Sequence, residues 1–305
     1  MISDRDWTNL LATRANRPDA VFAAYAERRR RPRLLSARGT LFLVAADHPG
    51  RGSLGVGADP LAMADRRDLL GRLVDALEHP DVDGVLGTPD VIEELLLLGA
   101  LEDKVVIGSM NRGGLAGASW EIDDRFTGYD ADAIRRHRLD GGKMLLRIVD
   151  QDAGTVPTLE GCARAVSELA EHGIRAMVEP LPYRRDASGR LILDRGTAAN
   201  IRAVTVASAL GTTSAYTWLK LPATEEPDKV AGATTLPTVV LGGVPSADPQ
   251  ADLSSWGRAL AQPAVRGLVV GRALLYPPDG DVRGAVDAAA RVLRAANPRA
   301  VEVIA

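Results

Sequence analysis

The feature that most constrains this chain is a repeated change of texture. Short runs rich in Val, Leu and Ile end in Gly, Pro, Asp or Asn, and longer stretches of Ala, Leu, Arg and Glu with helical spacing lie between them. Eight runs read as strands: residues 41–46, 84–87, 105–109, 143–149, 175–179, 216–221, 238–241 and 267–270. Helical stretches fall at 65–77, 91–98, 131–137, 159–172, 198–210 and 254–262, and a last one at 282–296 follows the eighth run. Between the sixth and seventh runs only 225–232 is left, room for a turn or two of helix.

Strand–helix alternation requires parallel strands joined by right-handed crossovers. Eight such units in 305 residues predict an α/β fold of one kind, a closed (β/α)8 TIM barrel. It is expected as a single domain over 1–305, with an N-terminal helical extension over 1–38. The competing arrangement, an open doubly wound sheet, offers a glycine-rich dinucleotide loop after an early strand. Here the first run ends Ala46-Asp47-His48-Pro49-Gly50, which is not that loop. Residues 7–30 have helical texture and predict one or two helices that close the barrel's bottom or make a subunit contact. Residues 180–193 read as a long loop after the fifth strand, in which 191–193 can form a small strand.

Composition narrows the function. Hydrophobic residues make up 46% of the chain, so it is globular, and aromatics only 4%, so its core must be Leu, Val, Ile and Ala. A net charge of −3 gives no reason to expect a nucleic-acid partner. Arg28-Arg29-Arg30-Arg31 with Arg33 is a local exception, read as the solvated end of the N-terminal helix; contact with a phosphate or a partner subunit is the alternative. The single cysteine, Cys162, excludes an intrachain disulfide and a Cys-based zinc site, and the four histidines show no paired metal spacing. The opening residues lack a basic start followed by an apolar stretch, and the apolar run at 95–98 is too short for a bilayer. A soluble cytoplasmic protein is expected, with no membrane partner.

In a barrel of this kind chemistry sits at the C-terminal strand ends, and an ionisable residue inside an apolar strand needs a partner or a job. The first strand ends in Asp47, on a face with Leu43 and Ala45. The third ends Gly108-Ser109-Met110-Asn111, followed by Arg112, a polar rim or simply a turn. On the fourth, Lys143, Leu145 and Arg147 share a face, so two cations point inward if that face does. Glu179 ends the fifth, followed by Pro180 and Pro182. Lys220 stands between Leu219 and Leu221 near the end of the sixth, where lost solvation and a neighbouring cation both favour a neutral amine, the form that attacks a carbonyl. The seventh ends Gly242-Gly243 and the eighth Gly271-Arg272, together a candidate phosphate site.

Taken in order, Asp47-His48, Lys143, Glu179, Lys220, Gly242-Gly243 and Gly271-Arg272 resemble the class I, Schiff-base-forming aldolases of the branch that includes tagatose-bisphosphate aldolase and archaeal-type fructose-bisphosphate aldolase. The resemblance runs from Leu41 to Tyr276 and is similar above all to actinobacterial aldolase-like barrels associated with inositol catabolism. Many relatives carry Asp-His-Gly where this chain has Pro49 after His48. The resemblance implies cleavage of a phosphorylated keto-sugar, 2-deoxy-5-keto-gluconate 6-phosphate to dihydroxyacetone phosphate and malonate semialdehyde, without metal or other cofactor. It implies that Lys220 forms the iminium, that Lys143 keeps Lys220 neutral and contacts a substrate hydroxyl, and that Glu179 shuttles protons. Asp47 would bind or deprotonate the hydroxyl whose collapse breaks the bond, and Gly242, Gly243, Gly271 and Arg272 would hold the phosphate. Arg147 is a further candidate for substrate or phosphate, and a homo-oligomer is expected.

Three rival readings remain at this point. A Schiff-base aldolase for deoxyribose 5-phosphate or a ketose bisphosphate uses the same chemistry in a different pocket. A metal-dependent lyase needs histidine clusters that this sequence does not show. A non-catalytic sugar-phosphate binder has no need of a lysine kept neutral.

Overall fold

The computed structural model describes residues 2–243, 245–246 and 248–296. The chain opens with helices α1 (Asp4–Asn16) and α2 (Ala20–Glu27). Eight strands then form the barrel: β1 (Leu41–Ala46), β2 (Gly84–Gly87), β3 (Val105–Ser109), β4 (Gly141–Ile148), β5 (Arg175–Arg185), β7 (Thr217–Pro222), β8 (Thr238–Leu241) and β9 (Val265–Val270). A small strand, β6 (Leu191–Leu193), lies outside the ring. The helices between and after them are α3 (Arg66–Leu77), α4 (Pro89–Leu97), α5 (Ala131–Arg136), α6 (Thr155–Glu171), α7 (Thr197–Ser208), α8 (Pro227–Ala231), α9 (Pro249–Leu260), α10 (Arg272–Leu275) and α11 (Val282–Ala295). None of the described helices is long and apolar enough to cross a membrane.

Hydrogen-bonded neighbours run β4-β3-β2-β1-β9-β8-β7-β5, and a β4–β5 pairing closes the ring. Every pairing within the ring is parallel. Alternate residues face the axis. Leu41, Leu43, Ala45, Leu86, Ile107, Met177, Trp218, Val239 and Val269 meet there as one apolar cluster. The outward faces pack on the helices in a second, larger cluster.

Most strands lie within two residues of their expected limits. The fifth does not. β5 continues through Pro180 and Pro182 to Arg185, where the sequence suggested a stop at Glu179. The reason is the neighbour it lacks. β7 pairs with β5 only from Ala176 to Val178, while β4 follows β5 up to Pro182. The upper part of β5 is therefore an edge, where a proline's missing N–H is tolerated. The supposed long loop is instead a hairpin: Tyr183, Arg184 and Arg185 pair antiparallel with Leu193, Ile192 and Leu191.

The arginine run also needs correction. Arg28 is only 2% exposed and is not a solvated helix end. Its guanidinium donates to the carbonyls of Lys104 (2.9 Å) and Arg138 (2.7 Å) and lies 3.6 Å from Asp140. Arg29 forks onto Asp103, Arg30 meets Asp140 at 2.9 Å, and Arg31 pairs with Asp83. Asp83, Lys104 and Asp140 immediately precede β2, β3 and β4, so the run clasps the N-terminal ends of three strands. Leu34 and Leu35 pack onto the apolar axial cluster from the same end. The N-terminal extension thus closes the barrel's bottom and leaves its other mouth free.

Candidate active site

The open mouth holds a cavity of about 560 Å³. Its floor is a layer of charge laid directly on the apolar axial cluster. The inward alternation of each strand delivers it: Leu43, Ala45, then Asp47 after β1; Lys143, Leu145, Arg147 on β4; Met177, then Glu179 on β5; Trp218, then Lys220 on β7.

Register sets the depth of each group. Glu179 pairs with Leu145, and Lys143 pairs with Met177, one inward position lower. Met177 also pairs with Trp218, which puts Lys220 level with Glu179. Lys143 therefore reaches up from below and is 0% exposed, while Lys220, 4% exposed, stands on the cavity wall. The wall includes Lys220, Glu179 and Asp47 but not Lys143.

These four side chains form a continuous chain of contacts. Lys220 Nζ donates to Glu179 Oε1, and Lys143 Nζ pairs with Glu179 Oε2. Lys143 Nζ also donates to Asp47 Oδ2 at 3.1 Å. Asp47 Oδ2 accepts from Ser109 Oγ at 3.1 Å and pairs with the Arg112 guanidinium, whose Nε in turn donates to Ser109 Oγ at 3.1 Å. In the sequence Arg112 shows only as part of the polar rim after the third strand. It lies on a loop 65 positions from Asp47, and no periodicity links the two.

Three cations, Lys143, Lys220 and Arg112, thus face two carboxylates, Asp47 and Glu179. Burial, then the Arg112 charge, push the Lys143 amine well below the ordinary lysine value against the pull of Glu179. Burial lowers Lys220 as well, with Glu179 again opposing. Burial alone would raise the Glu179 carboxyl, but Lys143, Lys220 and Arg112 outweigh it and hold it well below the carboxylate range. Burial brings Arg112 down to about 10. Loss of one proton from a lysine balances the cluster's charge, so the arrangement favours a neutral amine beside an ionised Glu179.

Arg147 faces the same cavity, but its nitrogens are engaged by protein. Nε and Nη2 fork onto Asp124 at 2.8 and 2.7 Å, and Nη2 also donates to the Gly114 carbonyl at 3.2 Å and to that of Glu121. Asp124, Glu121 and Gly114 belong to the β3–α5 segment, so Arg147 ties that segment over the mouth. Asn111 completes the tie: its side-chain amide donates to the Leu145 carbonyl at 2.7 Å and its Oδ1 accepts from Leu145 N at 2.7 Å, replacing a strand neighbour for β4.

Gly242, Gly243, Gly271 and Arg272 line the opposite part of the wall. Val244, next to Gly243, lies outside the described residues. Gly243 has φ +67°, a conformation that favours glycine. A Cβ on Gly271 would lie 2.4 Å from the Ala45 carbonyl oxygen and 2.9 Å from His48 Cε1, so only glycine lets β9 close on β1 here. Arg272 Nε is buried without a hydrogen-bond partner among the described residues. Open backbone at Gly243 and the Arg272 guanidinium, both on the cavity wall, can together receive an anion. Among the described residues, no three His, Cys, Asp or Glu side chains gather so as to hold a metal ion.

The chain belongs to the family described as Cgl0159-like, whose model matches residues 39–290. The crystal structure of Cgl0159 from Corynebacterium glutamicum (Brevibacterium flavum) is 49% identical, with a TM-score of 0.94 over 97% of this chain and 99% of that one. An archaeal fructose-1,6-bisphosphate aldolase, solved with its catalytic Lys covalently bound to the carbinolamine intermediate of the substrate, is 16% identical. Its TM-score is 0.64 over 90% of this chain and 99% of that one. A fructose-bisphosphate aldolase from Slackia heliotrinireducens is 14% identical, with a TM-score of 0.59 over 90% of each chain. At such identities the two aldolases share the fold. No curated protein matches the chain.

Proposed function

We propose that this member of the Cgl0159-like family is a class I aldolase, a lyase that cleaves a carbon–carbon bond in a phosphorylated keto-sugar through a Schiff base on Lys220. One observation carries the reading. Of two buried lysines that share a carboxylate, Lys220 alone opens onto the cavity, and Lys143 lies beneath it. A binding site gains nothing from an amine whose charge is suppressed, whereas carbonyl attack requires it. The fold-level likeness to an aldolase that forms a carbinolamine on its lysine supports the same chemistry.

The neutral Lys220 amine attacks the substrate ketone. Glu179, bonded to that nitrogen, carries one of its protons to the ketone oxygen to complete the carbinolamine, then delivers a second, taken up from solvent, so that the hydroxyl leaves as water. The resulting iminium accepts the electron pair of the bond that breaks. Burial, with the Arg112 and Arg272 charges, disfavours an ammonium at Lys220. Asp47 marks the end of the site where the hydroxyl that becomes the aldehyde must lie. Gly242, Gly243, Gly271 and Arg272 bind the phosphate and fix the ketone against Lys220. Arg147 acts by holding the β3–α5 segment and so shaping the wall.

The substrate favoured is 2-deoxy-5-keto-gluconate 6-phosphate, split to dihydroxyacetone phosphate and malonate semialdehyde in inositol catabolism. The test is a panel of that compound, deoxyribose 5-phosphate and ketose bisphosphates. Triose phosphate release is followed by a coupled assay in the presence of a chelator. Release from the first compound, with loss of activity when borohydride and substrate are added together, is expected. Cleavage of another member shifts the substrate and keeps the chemistry. Borohydride insensitivity in the presence of a cleaved substrate overturns the Schiff base.

A further inference from the structure

His48 directly follows Asp47 and has no role in the scheme above. It lines the cavity together with Lys220 and Arg272. Its Nδ1 is buried without a hydrogen-bond partner among the described residues and lies 4.0 Å from Asp47 Oδ1. That oxygen is the less committed half of the carboxylate. The other, Oδ2, carries the contacts to Ser109, Lys143 and Arg112. A carboxylate held by two cations and a hydroxyl is a weak proton acceptor. The Nδ1 of the imidazole beside it carries no such contact.

The ring is also fixed in place. His48 leads into a short 3-10 turn, Pro49–Arg51, with proline at its first position. Gly271 gives the ring its room, since a Cβ there would meet His48 Cε1 at 2.9 Å. Nδ1 faces the Asp47 side, which leaves Nε2 as the nitrogen able to meet a ligand. The charged groups around the ring are Asp47 on its own segment, Lys143 from β4, Glu179 from β5, Lys220 from β7 and Arg272 from α10. Burial, then Arg272 and Lys220, hold the imidazole neutral, the form that accepts a proton.

We propose that Asp47 and His48 work as a dyad in which Asp47 orients the ring and His48 Nε2 exchanges the proton with the substrate. The assignment rests on the Schiff-base reading and refines it. In cleavage, Nε2 takes the hydroxyl proton of the carbon that becomes the aldehyde. The oxygen's electron pair forms the new carbonyl, and the broken bond's pair moves into the iminium to leave an enamine on Lys220. His48 then returns the same proton to the enamine carbon, and water releases the ketone product by hydrolysis. Proton, electrons and base are all restored in one cycle. Asp47 is a positioning residue here, and His48 the group that touches the reacting atoms.

The test uses dihydroxyacetone phosphate as the probe and the intact protein. Two readouts are taken: borohydride trapping on Lys220, which reports iminium, and exchange of the C3 proton with D2O by NMR, which reports enamine. His48→Gln should trap as well as wild type and lose exchange by about a hundredfold or more. Asp47→Asn should trap normally and lose less. Exchange at the wild-type rate in His48→Gln overturns the proposal, as does a larger loss in Asp47→Asn than in His48→Gln. Loss of trapping in His48→Gln also overturns it, because the residue would then act before the enamine. Failure of the wild type to trap is a different result and strikes the Schiff-base reading itself.

Discussion

Lys143 and Lys220 meet the two oxygens of one carboxylate: Lys143 pairs with Oε2 of Glu179 and Lys220 with Oε1. The sharing couples the two amines. A proton on one raises the cost of a proton on the other, and Lys143 is fully buried, off the cavity wall. The protonation of the accessible lysine is thus tied to that of the buried one.

Glu179→Gln removes the negative charge that the two amines share. Breaking a buried ion pair on one side costs about 3–5 kcal/mol, so the urea midpoint should fall sharply. Part of that cost is relieved if an amine gives up its proton. Loss of the proton shuttle should lower kcat by about 10²–10⁴-fold. Unchanged kcat at saturating substrate contradicts the role given to Glu179.

Stability should rise with pH through the alkaline range. Burial and Arg112 lower the Lys143 amine in the folded state. Between that lowered value and the ordinary lysine value of about 10.4, the unfolded chain binds more protons. The stabilisation is complete above the unfolded value and is lost as pH falls through the folded one. Lys143→Met should flatten the rise. Urea midpoints at about pH 7 and about pH 9.5 for both proteins check it, and parallel pH slopes contradict it.

Arg272→Ala should act on binding. A charge-assisted hydrogen bond is worth about 1.5–3 kcal/mol, so KM for a phosphorylated substrate should rise about ten- to a hundredfold. kcat should change much less. Inorganic phosphate should also weaken as a competitive inhibitor. A kcat loss with unchanged KM places the phosphate elsewhere.

Arg147→Met should act on stability. It strands Asp124, which is 0% exposed and accepts both bonds of the fork. The expected loss is about 3–5 kcal/mol, and Arg147→Met with Asp124→Asn should recover part of it. Denaturant titration of the two single variants and the double measures the coupling. A coupling near zero contradicts the tie between β4 and the β3–α5 segment.

Much of the barrel is legible in the sequence because its strands are buried on both faces. Val105–Ser109 and Thr238–Leu241 read as unbroken apolar runs, and the structure gives them those limits. β5 was legible only to Glu179. Its continuation depends on β7 ending its pairing at Val178, a property of the neighbour that Pro180 and Pro182 do not reveal. Arg28 misled for a similar reason. Its acceptors are the carbonyls of Lys104 and Arg138, and backbone carbonyls leave no mark on composition.

The candidate site was legible where it follows strand alternation. Asp47, Lys143, Glu179 and Lys220 could be placed because two-residue periodicity fixes which face each takes. Arg112 and Asn111 could not, because both leave the strand and act from a loop. Arg147 was legible as an inward cation, but its pairing was not. Asp124 lies 23 positions earlier in an irregular segment, and only the fold brings the two together.

Which lysine carries the adduct is the most direct test of Schiff-base chemistry at this site. The protein should be incubated with dihydroxyacetone phosphate and borohydride, digested and mapped by mass spectrometry. One reduced adduct on Lys220 is predicted, with Lys143 unmodified. An adduct on Lys143, or none on either lysine, contradicts the account.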